Sequence, residues 1–157
     1  MLRWLWLSLL VVILDQISKQ LVESNFLVFE VMPVLPYLNL TLVYNEGAAF
    51  SFLSDQDGWQ RWFFVLIGLT VSLVLIIWIS RLTVSQRLSA VALSLVVGGA
   101  LGNILDRLLL GHVVDFIDVY YRDWHWPAFN IADSAITLGI LLLLVDAVRV
   151  ERQRAAL

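Results

Sequence analysis

Two stretches of the chain carry no charge over the length of a bilayer crossing. They are Trp62 to Ser80, between Arg61 and Arg81, and Leu88 to Leu105, between Arg87 and Asp106. A helix needs about 20 apolar residues to cross ~30 Å of hydrocarbon, so both read as spans. Two further apolar runs are interrupted by polar residues. The first, about 2–22, holds Asp15 and Lys19 in its second half, and the last, about 130–148, holds Asp133 near its start and Asp146 near its end. An early Arg3 followed by apolar residues also fits a secretion signal, but no small-x-small cleavage site follows, which favours a retained span.

The rest of the pattern divides into two outer loops, 23–58 and 106–129, and a short connection between Arg81 and Arg87. In Tyr37-Leu38-Asn39-Leu40-Thr41-Leu42 the leucines alternate with polar residues, the period of a half-buried strand. Because an open sheet edge does not sit in lipid, this predicts a small β-element on the membrane surface. The expected architecture is an all-α membrane protein. It has four transmembrane helices, a small outer β-element and an outer loop, in one integral domain over residues 1–157.

Composition agrees with this pattern. The 157 residues are 61% hydrophobic and 15% charged, whereas a soluble domain is roughly 25% charged. With no cysteine, disulfides, thiolate metal sites and a cysteine nucleophile are excluded. A net charge of −3 argues against a nucleic-acid partner. Four spans put both termini on one side, with Arg3, Arg81, Arg87, Arg149, Arg152 and Arg154 facing only Asp146 and Glu151. The positive-inside rule then makes both termini cytoplasmic. Tryptophan favours the headgroup level, and each of the seven falls at a predicted span end.

Ionisable groups inside a span cost at least ~2.5–3.5 kcal/mol at mid-depth, so they mark function unless paired. Apart from Asp146, every such cluster lies toward the outer face. Asp15 and Lys19, four apart, can form an intrahelical ion pair. Gly98 and Gly102 form a GxxxG pair of the kind that brings helices close, with Asn103 and Arg107 on one face just beyond. Asn130 and Asp133 have the spacing of a helix capping box, a role that leaves the carboxylate free to do chemistry as well. Asp115, in an apolar loop segment, is either a solvated loop acid or a functional one. A metal held by His112, Asp115 and Asp118 would require more convergent ligands than the segment offers. Acids strung through the membrane would suggest an ion-coupled transporter, and GxxxG alone a scaffold. Acids gathered at one face fit neither.

In their order along the chain, these blocks resemble one family, signal peptidase II, the lipoprotein signal peptidase. The matching pieces are Leu14-Asp15-Gln16-x-x-Lys19, Asn45-x-Gly47-Ala48-Ala49-Phe50, Gly98-Gly99-Ala100-Leu101-Gly102-Asn103-x-x-Asp106-Arg107, Gly111-x-Val113-Val114-Asp115-Phe116 and Phe129-Asn130-x-Ala132-Asp133. The resemblance implies an intramembrane aspartic endopeptidase of the bacterial inner membrane, with its site near the outer, periplasmic face. It would remove the signal peptide of a lipidated prolipoprotein just before the diacylglyceryl-cysteine, without a cofactor or metal, and would be inhibited by globomycin-type cyclic peptides. Asp115 and Asp133 match the catalytic pair. Asp15, Lys19, Asn45, Gly99, Asn103, Arg107 and Asn130 match positions that bind substrate or inhibitor or support the site. Two carboxylates in close approach share one proton. The helix N-terminus at Asp133 and the apolar neighbours of Asp115 predict that Asp115 holds it.

Overall fold

The computed structural model describes residues 1–47 and 58–155. A short 3-10 turn, Leu2–Trp4, leads into helix α1 (Leu5–Asn25). Strands β1 (Val31–Leu35) and β2 (Leu38–Asn45) follow, then helices α2 (Trp59–Arg81) and α3 (Arg87–Leu109). Strands β3 (Val113–Tyr121) and β4 (Trp124–His125) precede the last helix, α4 (Ile131–Ala155). Four helices are long and apolar enough to cross a membrane. Their outward faces carry exposed Leu9, Ile13, Leu21, Leu66, Leu73 and Leu144, an arrangement stable against lipid and not against water.

Helix α3 is the axis of the bundle, packed against α1, α2 and α4. Half of its apolar stretch is buried, against 17% for α2 and for α4. Its glycines make this possible. A methyl group on Gly99 would lie 2.2 Å from the Ala132 carbonyl oxygen, and one on Gly98 2.9 Å from the backbone of Ser8. The small-residue patch therefore lets α1 and α4 approach α3 on two sides, which is the packing role that the GxxxG spacing predicts.

The first and third connections between the helices build one antiparallel sheet of order β1-β2-β3-β4. Val43 of β2 pairs with Asp115 of β3, and Asn45 with Val113. Here the structure corrects two expectations. Helix α3 continues through Asp106 and Arg107 to Leu109 rather than ending at 105. Asp106 does not stop the helix because its charge is met internally by Lys19 at 2.8 Å. Asp115 lies in a strand and not a loop. β3 is buried on both faces through most of its length, so it lacks the apolar-polar alternation that exposes a strand to sequence reading. Gly111 makes the turn between α3 and β3. Its φ of +92° is a left-handed conformation open to glycine, at the position where helices commonly end.

Candidate active site

The C-terminal ends of α1 and α3, the N-terminal end of α4 and the sheet meet at one end of the bundle. Helix α4 begins with the predicted capping box. The Asn130 side-chain oxygen accepts from the Asp133 amide at 2.9 Å, and Asp133 Oδ2 accepts from the Asn130 amide at 3.3 Å. A second cap comes from another helix, where Asp15 Oδ1 accepts from the Ala132 amide at 2.9 Å. The helix mouth is thus satisfied from its own sequence and from α1, and Asp133 is held in its first turn.

Asp115 projects from β3 toward the same point. Its Oδ1 accepts from Asn130 Nδ2 at 2.7 Å and its Oδ2 from Asn45 Nδ2 at 3.0 Å. Asp133 Oδ1 accepts from Asn103 Nδ2 at 2.8 Å. Asn103 Oδ1 accepts in turn from Asn130 Nδ2 at 3.2 Å and from Lys19 Nζ at 3.1 Å. The two acids are therefore linked through Asn130, which touches Asp115 with its side chain and Asp133 with its backbone. Burial pushes the Asp115 carboxyl up to about 7, with the negative charge of Asp133 adding to the rise and the Asn45 and Asn130 hydrogen bonds opposing it.

Asp115 and Asp133 line a cavity of about 810 Å³ together with Asn45, Asn103 and Arg107. The cavity runs along α4 past Thr137 and Leu138 to Leu141, and is walled on the sheet side by Val43 and by Trp126. It is polar around the carboxylates and apolar along the helix, which suits a ligand with a polar centre and an apolar extension. Arg107 closes one side. It donates to the Gly47 carbonyl at 2.6 Å and to the Asn103 carbonyl at 3.3 Å, and its guanidinium lies 5.0 Å over the Phe64 ring.

Of the remaining expected site residues, Asn130, Lys19 and Asp15 stand behind the cavity wall, all buried. Gly99 lies at the α3–α4 contact and takes part by permitting it. Ala48, Ala49 and Phe50 lie outside the described residues. The alternative His112, Asp115 and Asp118 grouping is not assembled. The His112 ring packs on Tyr44 at 4.2 Å, while Asp118 pairs with His125 at 2.8 Å and accepts from Asn39. Among the described residues no group of three such side chains could hold a metal ion.

Two residues in the matching blocks received no role from the sequence and have one here. Asp106 accepts from the Val114 amide at 3.1 Å and pairs with Lys19, and Gln16 donates to Asp106 at 2.7 Å. Their signal was the spacing. Asp15, Gln16 and Lys19 share one arc of α1, and Asn103 and Asp106 one arc of α3. At the opposite end of the bundle the polar contact is of another kind, a hydrogen bond from Ser89 to Asp146.

Comparison with known proteins identifies the family. The family model described as signal peptidase (SPase) II matches residues 7–149. The chain is 53% identical over 146 residues to the lipoprotein signal peptidase of Photorhabdus laumondii, covering 93% of this chain and 87% of that protein. It is 50% identical over 157 residues to the one from Pseudomonas paraeruginosa, covering 99% and 93%. A solved structure described as a bacterial membrane enzyme, obtained by the in meso method, matches with a TM-score of 0.84 at 34% identity. That match covers 94% of this chain and 88% of the other. With the match spanning nearly all of the chain in sequence and in fold, this protein belongs to the signal peptidase II family.

Proposed function

We propose that Asp115 and Asp133 are the catalytic pair of this enzyme, an aspartic endopeptidase of the bacterial inner membrane that removes the signal peptides of prolipoproteins. The observation that carries the assignment is the meeting of two carboxylates, the buried Asp115 from β3 and the half-buried Asp133 from α4, on one cavity that also runs along a membrane-spanning helix. Asp115 holds the shared proton, and Asp133, at the helix mouth, carries the negative charge.

The chemistry follows from that division. Asp133 takes a proton from water as its oxygen attacks the scissile carbonyl carbon, and the Asp115 proton passes to the carbonyl oxygen. The resulting diol collapses when the C–N bond breaks. Asp133 then gives its proton to the departing nitrogen, and Asp115 recovers one from the diol. Asn45, Asn103 and Asn130 keep both carboxylates aimed throughout, since each donates to one or both of them. Arg107 positions the substrate or braces the cavity wall.

The apolar arm of the cavity along Thr137, Leu138 and Leu141 fits the diacylglyceryl group, with cleavage just before the modified cysteine. Globomycin-type cyclic peptides would compete for the same space. Both termini are cytoplasmic and the site lies near the periplasmic face, as the distribution of arginine and tryptophan supports. The test is cleavage of a lipidated and a non-lipidated prolipoprotein by the purified enzyme and by its Asp115→Asn and Asp133→Asn variants. Each variant should lose at least ~10³-fold, the lipidated substrate should be preferred, and globomycin should inhibit. More than about a tenth of the activity left in well-folded Asp115→Asn protein would refute the assignment.

A further inference from the structure

The Lys19 side chain is buried, yet it belongs to neither carboxylate of the proposed pair. An ammonium has three N–H donors and no acceptor. Lys19 Nζ meets Asp15 Oδ2 at 2.7 Å, Asp106 Oδ2 at 2.8 Å and Asn103 Oδ1 at 3.1 Å. Each of these three partners then holds a piece of the site. Asp15 accepts from the amide of Ala132, next to Asp133. Asp106 accepts from the amide of Val114, next to Asp115. Asn103 donates directly to Asp133.

We infer that Lys19 is the positioning residue that sets the two carboxylates against each other, acting through Asp15, Asp106 and Asn103 and touching no substrate. The inference rests on the Asp115–Asp133 reading. A simple ion pair with Asp15 would require one of the three contacts. The other two both tie α1 to α3, with β3 reached through the Asp106–Val114 hydrogen bond, and without the ammonium nothing among the described contacts joins Asp15, Asp106 and Asn103 at one atom. Lys19 also fixes the Asn103 amide. With its oxygen taken by Lys19 and Asn130, the NH₂ group faces Asp133. A released Asn103 could turn its oxygen to Asp133, which would draw the shared proton there. Arginine cannot substitute, because a planar fork does not direct three donors tetrahedrally.

The charged groups facing the pair are Lys19 from α1 and Arg107 from α3, with Asp15 and Asp106 set against Lys19 behind them. β2 presents the neutral Asn45, and α2 the Phe64 ring beneath Arg107. Removing the Lys19 charge therefore leaves the pair holding its remaining proton more tightly.

The experiment measures kcat, KM and the pH profile of kcat/KM for Lys19→Met, Lys19→Arg and the double variant Lys19→Met/Asp106→Asn, each against Asp115→Asn. The double variant removes Lys19 and Asp106 together, which keeps the net charge of the Lys19–Asp15–Asp106 cluster and leaves Asp15 held by the Ala132 amide. Lys19→Met should lose kcat by about 10²-fold, the scale of a misplaced reacting group, with KM little changed and the alkaline limb raised by about one pH unit. The double variant should keep the kcat loss with a smaller displacement of the limb, and Lys19→Arg should not restore kcat. Wild-type kcat in the double variant would overturn the inference, because Lys19 would then only neutralise Asp106. So would a loss that tracks the fraction of folded enzyme with the pH profile unmoved. If Asp115→Asn stays active, the catalytic reading fails instead.

Discussion

Replacing Asp115 by asparagine should remove activity and at the same time stabilise the protein at alkaline pH. The carboxyl titrates at about 7 in the folded chain against an ordinary 3.8. Between those values the folded state holds a proton that the unfolded state has released. Its contribution is therefore neutral below 3.8, falls as pH rises, and levels off above 7. A gap of about three pH units at 1.36 kcal/mol each makes the full cost about 4 kcal/mol above pH 7, and about 1.6 kcal/mol at pH 5. Asparagine carries no such cost. It introduces one of its own, because its NH₂ group must face the NH₂ of Asn45 or of Asn130, a donor–donor contact worth about 1–3 kcal/mol. The variant should thus be near wild-type stability at pH 5 and more stable at pH 8, a relative change of about 3 kcal/mol. At about 2–4 °C per kcal/mol for a chain of this size, that is a shift of several degrees. Thermal melts of both proteins in the same detergent, followed by tryptophan fluorescence at pH 5 and pH 8, measure it. An equal Tm difference at the two pH values would refute the reasoning, since Asp115 would then have ordinary acidity and no reason to hold the shared proton.

Three further outcomes are expected. The alkaline limb of kcat/KM should fall near pH 7, because the proton on Asp115 is present below that value and lost above it; a profile flat to pH 9 contradicts the assignment, with the limb read as a property of the coupled pair. Arg107→Lys should impair cleavage although the charge is kept, since the guanidinium reaches Gly47 and Asn103 from one plane and stacks over Phe64; steady-state kinetics matching wild type would remove Arg107 from the site. Cleavage should survive EDTA and gain nothing from added zinc, because His112 and Asp118 are each turned to other partners; reversible loss on chelation, restored by metal, would contradict this.

The four spans could be read from the sequence because lipid imposes a one-dimensional condition. An uninterrupted apolar run of bilayer length has one stable fate. The capping box at Asn130 and Asp133 and the Asp15–Lys19 pair were equally legible, since both arise within one helix from residues three or four apart. Strand β2 was legible as a strand from its alternation, although its buried positions include the polar Asn39, which donates to Asp118, and Thr41, with Leu38 and Leu40 half-buried; β3, buried through most of its length, showed no alternation.

What tertiary structure alone decided is how these local features meet. Asp115 and Asp133 are separated by a strand and a turn, and no spacing rule brings them to one cavity. That depends on β3 pairing with β2 and on Phe129 returning to bond with Ile117. Asp106 looked like the end of a span because a charge in lipid is costly. It sits inside the helix because Lys19, from α1, lies 2.8 Å away. Hydrophobic periodicity and capping act between near neighbours, so the sequence states them directly. Compensation of a buried charge acts between residues that only the packing of α1, α3 and the sheet makes neighbours.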